Sequence, residues 1–357
     1  MNKLLKNLFL ITSFIFSVYI SSVEIKKLNI SLDYPWGMTW LDSTTMLITQ
    51  KDGKLFLVNT DKETKIEIEH KIPSVQVGQG GLLDVTSENN EIWLTCTIRK
   101  KEKFTTAVYY AKLEGNKLIN LELIYVVEPY SLNTIHFGSR IEIKDDFIYI
   151  TIGERGEGIL AQDGSNSIGS VIKIKKDGTI INNDINNEHN DWLPELFQIG
   201  VRNPQGITTD PLTGRIYISN HGPMGGDFIG PVIYGTNYGW NKVAWGGLNY
   251  NGTKIGDGNA WEPGFLKPSH VWIPSIGIGG IKFYSGKVFP EWNNQLLVAS
   301  LKFKYLSVLY REENNFIKEE IILRDKIGRI RDIDVNQNGE IYLIADEKNT
   351  FLYKLVP

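Results

Sequence analysis

The chain has 357 residues, enough for one large or two ordinary domains, and 42 % of them are hydrophobic, the share of a globular protein with a sizeable core. A formal net charge of −3 excludes the broad basic face that a nucleic-acid binder needs, so any anionic partner must be met by a local cluster of cations. The single cysteine, Cys96, excludes an intramolecular disulfide, while 34 Gly, 15 Phe, 16 Tyr and 9 Trp suit a β-rich, turn-rich chain.

The N-terminus carries Lys3 and Lys6, then an apolar stretch from Leu8 to about Ile20, then Ser21 and Ser22. A basic start, a short apolar core and small residues predict a secretory signal peptide over residues 1–22, with an uncleaved anchor as the alternative. Residues 23–357 then form one exported domain, and export without disulfides fits a bacterial periplasm.

From there a strand core recurs six times: Met46–Thr49, Ile92–Thr95, Ile148–Thr151, Ile216–Ser219, Leu296–Ala299 and Ile341–Ile344. Polar turns precede these cores, such as Asp145-Asp146, Thr213-Gly214 and Asn338-Gly339, and before the turn lies another short run, as at Gly37–Trp40, Gly206–Thr209 and Gly280–Phe283. A third run often follows, as at Lys54–Val58, Val171–Ile174 and Leu306–Tyr310. The repeat is near or above the size of a four-stranded propeller blade, so an all-β, six-bladed β-propeller is predicted, with a sandwich or irregular barrel as runner-up. Uneven spacing places long insertions around residues 179–200 and 230–275.

In a propeller the first strand of each blade lines the central channel, so residues at those strand starts meet at one mouth. Gln79, His136, Arg202, Asn203, Arg329 and Arg331 all occupy that position. His136, with Glu154 one strand later to fix its tautomer, reads as a general base. Arg329 and Arg331 are two residues apart on a strand and therefore share a face. With Arg202 and Lys302 they predict a cationic pocket for a ligand bearing several carboxylates or phosphates. The Gly-rich run His221–Asp227 offers bare carbonyls to a hard cation such as Ca²⁺. Gly78–Gly81 and Gly153–Gly158 are not phosphate-binding fingerprints, because no βαβ unit surrounds them. Arg99–Lys103 reads as a solvated loop, and there is no His/Cys cluster at zinc spacing.

Taken in order, Pro35–Met38 (PWGM), Gly78–Asp84 (GQGGLLD), His136–Arg140 (HFGSR), Thr151–Gly156 (TIGERG), Ala161–Asp163 (AQD) and Arg202–Gly206 (RNPQG) form a recognisable series. His221–Pro223 (HGP), Asn237–Trp240 (NYGW), Trp272–Ser275 (WIPS), Ser300–Lys302 (SLK) and Arg329–Asp332 (RIRD) continue it. From about residue 32 onward the chain resembles the glucose/sorbosone dehydrogenase family, the soluble PQQ-dependent aldose sugar dehydrogenases.

The resemblance implies a six-bladed propeller with pyrroloquinoline quinone (PQQ) flat over the channel mouth. It makes His136 the catalytic base, Gln79 a neighbour of sugar and cofactor, and Arg202, Asn203, Lys302, Arg329 and Arg331 the cofactor-binding set. Trp272 takes the position of an aromatic lining the sugar site, and the carbonyls of Gly222 and Pro223 that of ligands to the Ca²⁺ that binds PQQ. The implied partners are an aldose and an external electron acceptor.

Three positions depart from the family: Glu154 stands where an Asp usually backs the catalytic His, Phe228 replaces a Glu of a second calcium site, and Val201 replaces a His before Arg202. A calcium-dependent propeller lactonase is the alternative enzyme, but it needs acidic and amide side chains around one metal rather than Lys302, Arg329 and Arg331. A non-catalytic propeller that binds a glycan or a protein is the third reading; a member that had lost activity should have lost the His or the cationic set.

Overall fold

A computed structural model of the protein describes residues 23–181, 189, 191–313 and 315–357. The reading of residues 1–22 as a signal peptide lies outside them. Among the described residues no helix is long and apolar enough to cross a membrane.

Six sheets follow one another along the chain, antiparallel except that Thr236–Asn237 adds to the third in parallel beside Leu196–Ile199. Their first strands are Pro35–Trp40, Leu82–Glu88, Gly138–Lys144, Pro204–Thr209, Ile278–Phe283 and Ile330–Val335, which we take as the inner strands of blades 1 to 6. Each inner strand packs against the next, and the sixth packs against the first, so the sheets close into the expected six-bladed β-propeller. All six recurring strand cores of the sequence lie in the second strand of a blade.

Closure depends on a strand that the repeat does not announce. Glu24–Leu32, before the first repeat, pairs antiparallel with Thr350–Val356 and becomes the outer strand of blade 6. The two insertions also resolve. Residues around 179–200 join the third strand of blade 3 to its fourth, Leu196–Ile199. Residues around 230–275 join the third strand of blade 4, Asp227–Pro231, to its fourth, His270–Trp272.

The core is divided rather than single. Six apolar clusters each fill the gap between two neighbouring blades, as with Leu47, Val85 and Leu94 between blades 1 and 2. The fourth residue of the strand core explains part of the repeat. The hydroxyls of Thr49, Thr95, Thr151 and Ser219 each donate to a carbonyl at the inner strand of the following blade, at Leu83, Ser139, Pro204 and Gly279. In blades 5 and 6 the position is Ala299 and Ile344, and the stitch is missing. Every inner hairpin also carries a register shift at the same end of its first strand, between 35 and 38, 82 and 85, 138 and 141, 204 and 206, 278 and 281, and 330 and 332. Bulges re-aim the residues beside them, here six times around one mouth of the channel.

The channel below the mouth is filled by charge. Arg140 of blade 3 donates to Asp84 of blade 2 at 2.9 Å and to Asp332 of blade 6 at 2.7 Å. It also donates to the carbonyls of Gln205, Trp36 and Arg331 at 2.9, 3.3 and 3.5 Å, and its guanidinium lies 4.2 Å from the Trp36 ring centroid. A cavity of about 70 Å³ borders it, lined among others by Glu142, Lys282 and Asp334. Burial pushes the Asp84 carboxyl above the usual range, Arg140 opposes it, and repulsion from Asp332 adds to the rise.

Removing Arg140 would leave two carboxylates buried without a counter-charge, a loss of about 3–5 kcal/mol. Arg140→Ala should therefore lower the unfolding free energy measured in urea by that amount, with a lower midpoint, and Arg140→Lys, which keeps the charge but not the five-donor fork, should recover only part of it. An unchanged midpoint in the Ala variant would exclude the clamp.

Candidate active site

His136 ends the loop that leads into the inner strand of blade 3, and its backbone is in the left-handed region at φ +52°. Such a conformation persists when the surroundings impose it. Here they do: the His136 N–H donates to the Gln79 Oε1 at 2.8 Å, and its carbonyl faces Gly153, where an added Cβ would stand 2.0 Å from the carbonyl oxygen. The glycine of the TIGERG motif is thus required by the approach of the His136 carbonyl.

The His136 Nδ1 hydrogen-bonds Glu154 Oε1, which also accepts the N–H of Gly156 at 3.0 Å. With the carboxylate as acceptor, Nδ1 is the donor and Nε2 keeps its lone pair. The ring is 8 % exposed. Burial holds its pKa below the usual 6.5, Glu154 pulls it back up, and Arg202 and then Arg155 lower it again. At neutral pH His136 is an uncharged imidazole with a free basic nitrogen. Glu154 reaches the ring although it is one methylene longer than aspartate.

Arg202 and Asn203 are fixed by Asn220, whose Oδ1 accepts both backbone N–H groups at 2.9 Å. The Asn203 side-chain oxygen accepts the N–H of Gly138 at 3.1 Å, tying blade 4 to the strand after His136. The Arg202 guanidinium lies 5.4 Å from the Trp240 ring centroid and 6.0 Å from that of Tyr250. It is also 3.5 Å from the carbonyl oxygens of His221 and Gly222.

Arg331 donates to Gln205 Oε1 at 2.6 Å and to Asp346 at 2.7 Å. Arg329, more exposed, reaches the same Asp346 oxygen at 3.8 Å, so the two arginines converge on one carboxylate, although Arg329 precedes the strand and a bulge, not simple alternation, lies between them. Lys302 is exposed on the loop after the second strand of blade 5. Lys51, which the motifs did not single out, directly follows the second strand of blade 1, and its charge interacts with Asp346, Arg331 and Arg329. Burial lowers its pKa. Counted from the strand cores, Lys51 and Asp346 occupy equivalent positions in blades 1 and 6, while Lys302 lies one residue further on in blade 5.

The His221–Asp227 turn is held from below. Asp227 accepts the N–H groups of Gly222 at 2.8 Å and Ile278 at 2.9 Å, so its carboxylate is engaged by main chain. Phe228 packs in the core against Tyr238, with ring centroids 4.7 Å apart, and offers no ligand for a second calcium. Trp272 does not face the open mouth. It is 7 % exposed, packs with the apolar cluster between blades 4 and 5, and donates its indole N–H to Glu319 at 3.0 Å.

Gln79, His136, Glu154, Arg202, Asn203, Arg329, Arg331 and the loop carrying Gly222 and Pro223 lie together, joined by the bonds above and by the charges of Arg331, Arg202 and Arg329 around His221; Glu154 and that loop follow second strands rather than beginning first ones. Seven buried side-chain polar atoms among the described residues have no hydrogen-bond partner, and four belong to this mouth: His221 Nε2, Trp240 Nε1, Arg331 Nε and Asp346 Oδ1. Clustered orphans of this kind mark a place where a polar ligand or ordered water completes the bonding. Among the described residues no three His, Cys, Asp or Glu side chains come together as metal ligands.

The family model for Glucose / Sorbosone dehydrogenase matches residues 32–354. The aldose sugar dehydrogenase YliI of Escherichia coli (strain K12) is 30 % identical over 349 residues, covering 94 % of each chain. The crystal structure of the soluble aldose sugar dehydrogenase from Escherichia coli in the apo-form superposes with a TM-score of 0.87 at 29 % identity, over 94 % of this chain and 99 % of that one. Quinoprotein glucose dehydrogenase B of Acinetobacter calcoaceticus is 24 % identical, over 78 % of this chain and 64 % of its own length. With the family's motifs spread over all six blades and its model spanning nearly the whole chain, the protein belongs to the glucose/sorbosone dehydrogenase family.

Proposed function

We propose that the protein is a PQQ- and calcium-dependent dehydrogenase that oxidises aldoses at the anomeric carbon to lactones and passes the electrons to an external acceptor. The observation that carries this reading is the pairing, at one mouth, of a neutral, carboxylate-backed His136 with a cationic wall from blades 1, 4 and 6. The names of the Escherichia coli and Acinetobacter relatives point the same way. Export to the periplasm belongs to the same proposal and rests on the N-terminal sequence.

The residues fit a planar tricarboxylate. Lys51, Arg202, Lys302, Arg329 and Arg331 supply cationic donors, and the unpartnered Nε of Arg331 is a donor suited to a carboxylate. Two carbonyls, of Gly222 and Pro223, fall short of the six to eight oxygens calcium takes, so the ion fits only as one shared between this loop and the cofactor. PQQ supplies a two-electron acceptor for hydride, and calcium a Lewis acid for the charge that develops.

The chain's own part is acid–base and positional. The His136 Nε2 takes the proton of the anomeric hydroxyl while the hydrogen on the same carbon leaves with its electron pair, and the C–O bond becomes the lactone carbonyl. Glu154 stabilises the imidazolium that forms. Gln79, whose oxygen holds the His136 N–H, lies exposed beside the ring and keeps its amide group at the sugar's side of the mouth. A lactonase reading would need acidic side chains gathered around a metal, and the cationic wall argues against it.

Purified protein should oxidise glucose with a dye acceptor only after PQQ and Ca²⁺ are added, and His136→Ala should cost about 10²–10⁴-fold in rate. Absence of activity over a panel of aldoses, together with no PQQ binding by titration, would instead favour a binding propeller.

The His136 pKa sets the sign of the pH dependence. A base depressed below 6.5 stays competent as pH falls through that value and is lost only below it. Glu154→Gln removes the contact that favours the protonated ring, so the acid limb should move to still lower pH as the rate drops. Imidazole NMR titration of both proteins checks the direction, and a rise in the variant would exclude the assigned role.

A further inference from the structure

The insertion between the third and fourth strands of blade 4 carries a small hairpin. Leu248 and Lys254 form a bridge, Asn249 donates its N–H to the Thr253 carbonyl at 2.8 Å, and Asn251 Oδ1 accepts the Thr253 hydroxyl at 2.7 Å. Its base sits directly on the turn that bears Gly222 and Pro223. A Cβ added at Gly246 would stand 2.3 Å from the Gly225 oxygen, and one at Gly226 would stand 2.7 Å from the Gly246 nitrogen. Backbone meets backbone there, which fixes the hairpin against the active mouth without side chains.

At its tip stands Tyr250, 72 % exposed, the most exposed large apolar side chain among those described. An aromatic ring left this open contributes little to folding. Its ring lies on the mouth side, 6.0 Å from the Arg202 guanidinium, and Ile273 and Met224, 66 % and 47 % exposed, belong to the same rim. Trp272, the aromatic expected to line the sugar site, is buried between blades, and Trp240 and Trp245 nearby are half-buried, so the most exposed aromatic on this side of the rim is Tyr250.

We propose that Tyr250 is the platform for the second ring of an oligosaccharide whose reducing-end ring sits at His136. The inference rests on the dehydrogenase reading. The carbon to be oxidised must reach the His136 Nε2, low in the mouth. C4 lies across the pyranose ring from C1, so a sugar with C1 at the floor directs its C4 linkage outward to the rim. A second pyranose there presents an apolar C–H face, which stacks on an aromatic ring whose other edge meets solvent.

The test compares kcat/KM for cellobiose or maltose with that for glucose, in reconstituted wild type, Tyr250→Ala and Tyr250→Phe. The ratio cancels any change in cofactor loading caused by the neighbouring Arg202. It should fall about three- to tenfold in Tyr250→Ala, through KM for the disaccharide, and hold in Tyr250→Phe. An unchanged ratio in the Ala variant overturns the platform. Saturation-transfer NMR of the disaccharide on cofactor-free protein gives a second readout. Transfer to the non-reducing ring should vanish in Tyr250→Ala, and equal transfer in both proteins overturns the proposal. If wild type oxidises no aldose, the dehydrogenase reading fails on that result alone, and the NMR comparison still decides the role of Tyr250.

Discussion

The arrangement depends on the Arg140 guanidinium. From blade 3 it reaches carboxylates on blades 2 and 6 and carbonyls on blades 1, 4 and 6, and Gly280 of blade 5 lies so close to Asp332 that a Cβ would stand 2.2 Å from its carboxylate. A ring of six sheets has no single core to hold it round. Apolar clusters glue each blade to the next, but they act pairwise, and pairwise contacts alone do not fix the relative height of inner strands across the channel. A planar cation with five donors does, because its bonds run in several directions at once. The cost is two buried carboxylates close together, which only that cation keeps tolerable.

The same clamp sets the floor of the active mouth. Trp36 lies between two arginines, with the Arg140 guanidinium 4.2 Å and that of Arg331 5.8 Å from its ring. Arg140 holds the carbonyl of Gln205, and Gln205 holds Arg331 through its side chain. The mouth is therefore not a loop assembly laid on a scaffold. Its cations are wired to the channel by bonds that pass through strand starts, where the six bulges turn the backbone. His136 is held the same way, by Gln79 from blade 2's approach loop and by Gly153 across its own hairpin.

How much of this was legible in the sequence follows from what repeats and what does not. Blade number and strand order were readable because each blade needs the same alternation, and in four of the six a stitching hydroxyl, Thr49, Thr95, Thr151 or Ser219, recurs at one position. The strand starts were readable as site positions for the same reason. Closure by Glu24–Leu32 was not, because a single strand recruited across the whole chain leaves no period. Lys51 was obscured because it sits at the end of a second strand, away from the strand-start pattern, and Asp346 for the same reason in blade 6. The direction of Trp272 was fixed only by its pairing opposite Asp227, which turns the indole into the gap between blades 4 and 5. Tyr250 belongs to an insertion that lies outside the strand repeat, so the period could not point to it.

Charge balance ties these parts to function. The whole chain carries −3, yet Lys51, Arg202, Arg329 and Arg331 gather at the mouth against Asp346, Glu154 and Asp227, of which Glu154 is already engaged by His136 and Asp227 by main-chain N–H groups. Repelling cations gathered this closely without enough carboxylates cost stability, and one carboxylate shared by Arg329 and Arg331 does not neutralise both. Such an excess in a low-dielectric cleft is the signature of a site built for an anion that the chain itself does not provide. It also acts on His136: Arg202 helps keep the imidazole uncharged, while Glu154 restrains that effect. An anion bound among the arginines would weaken the first influence and leave the second, making His136 a stronger base once the pocket is filled than before.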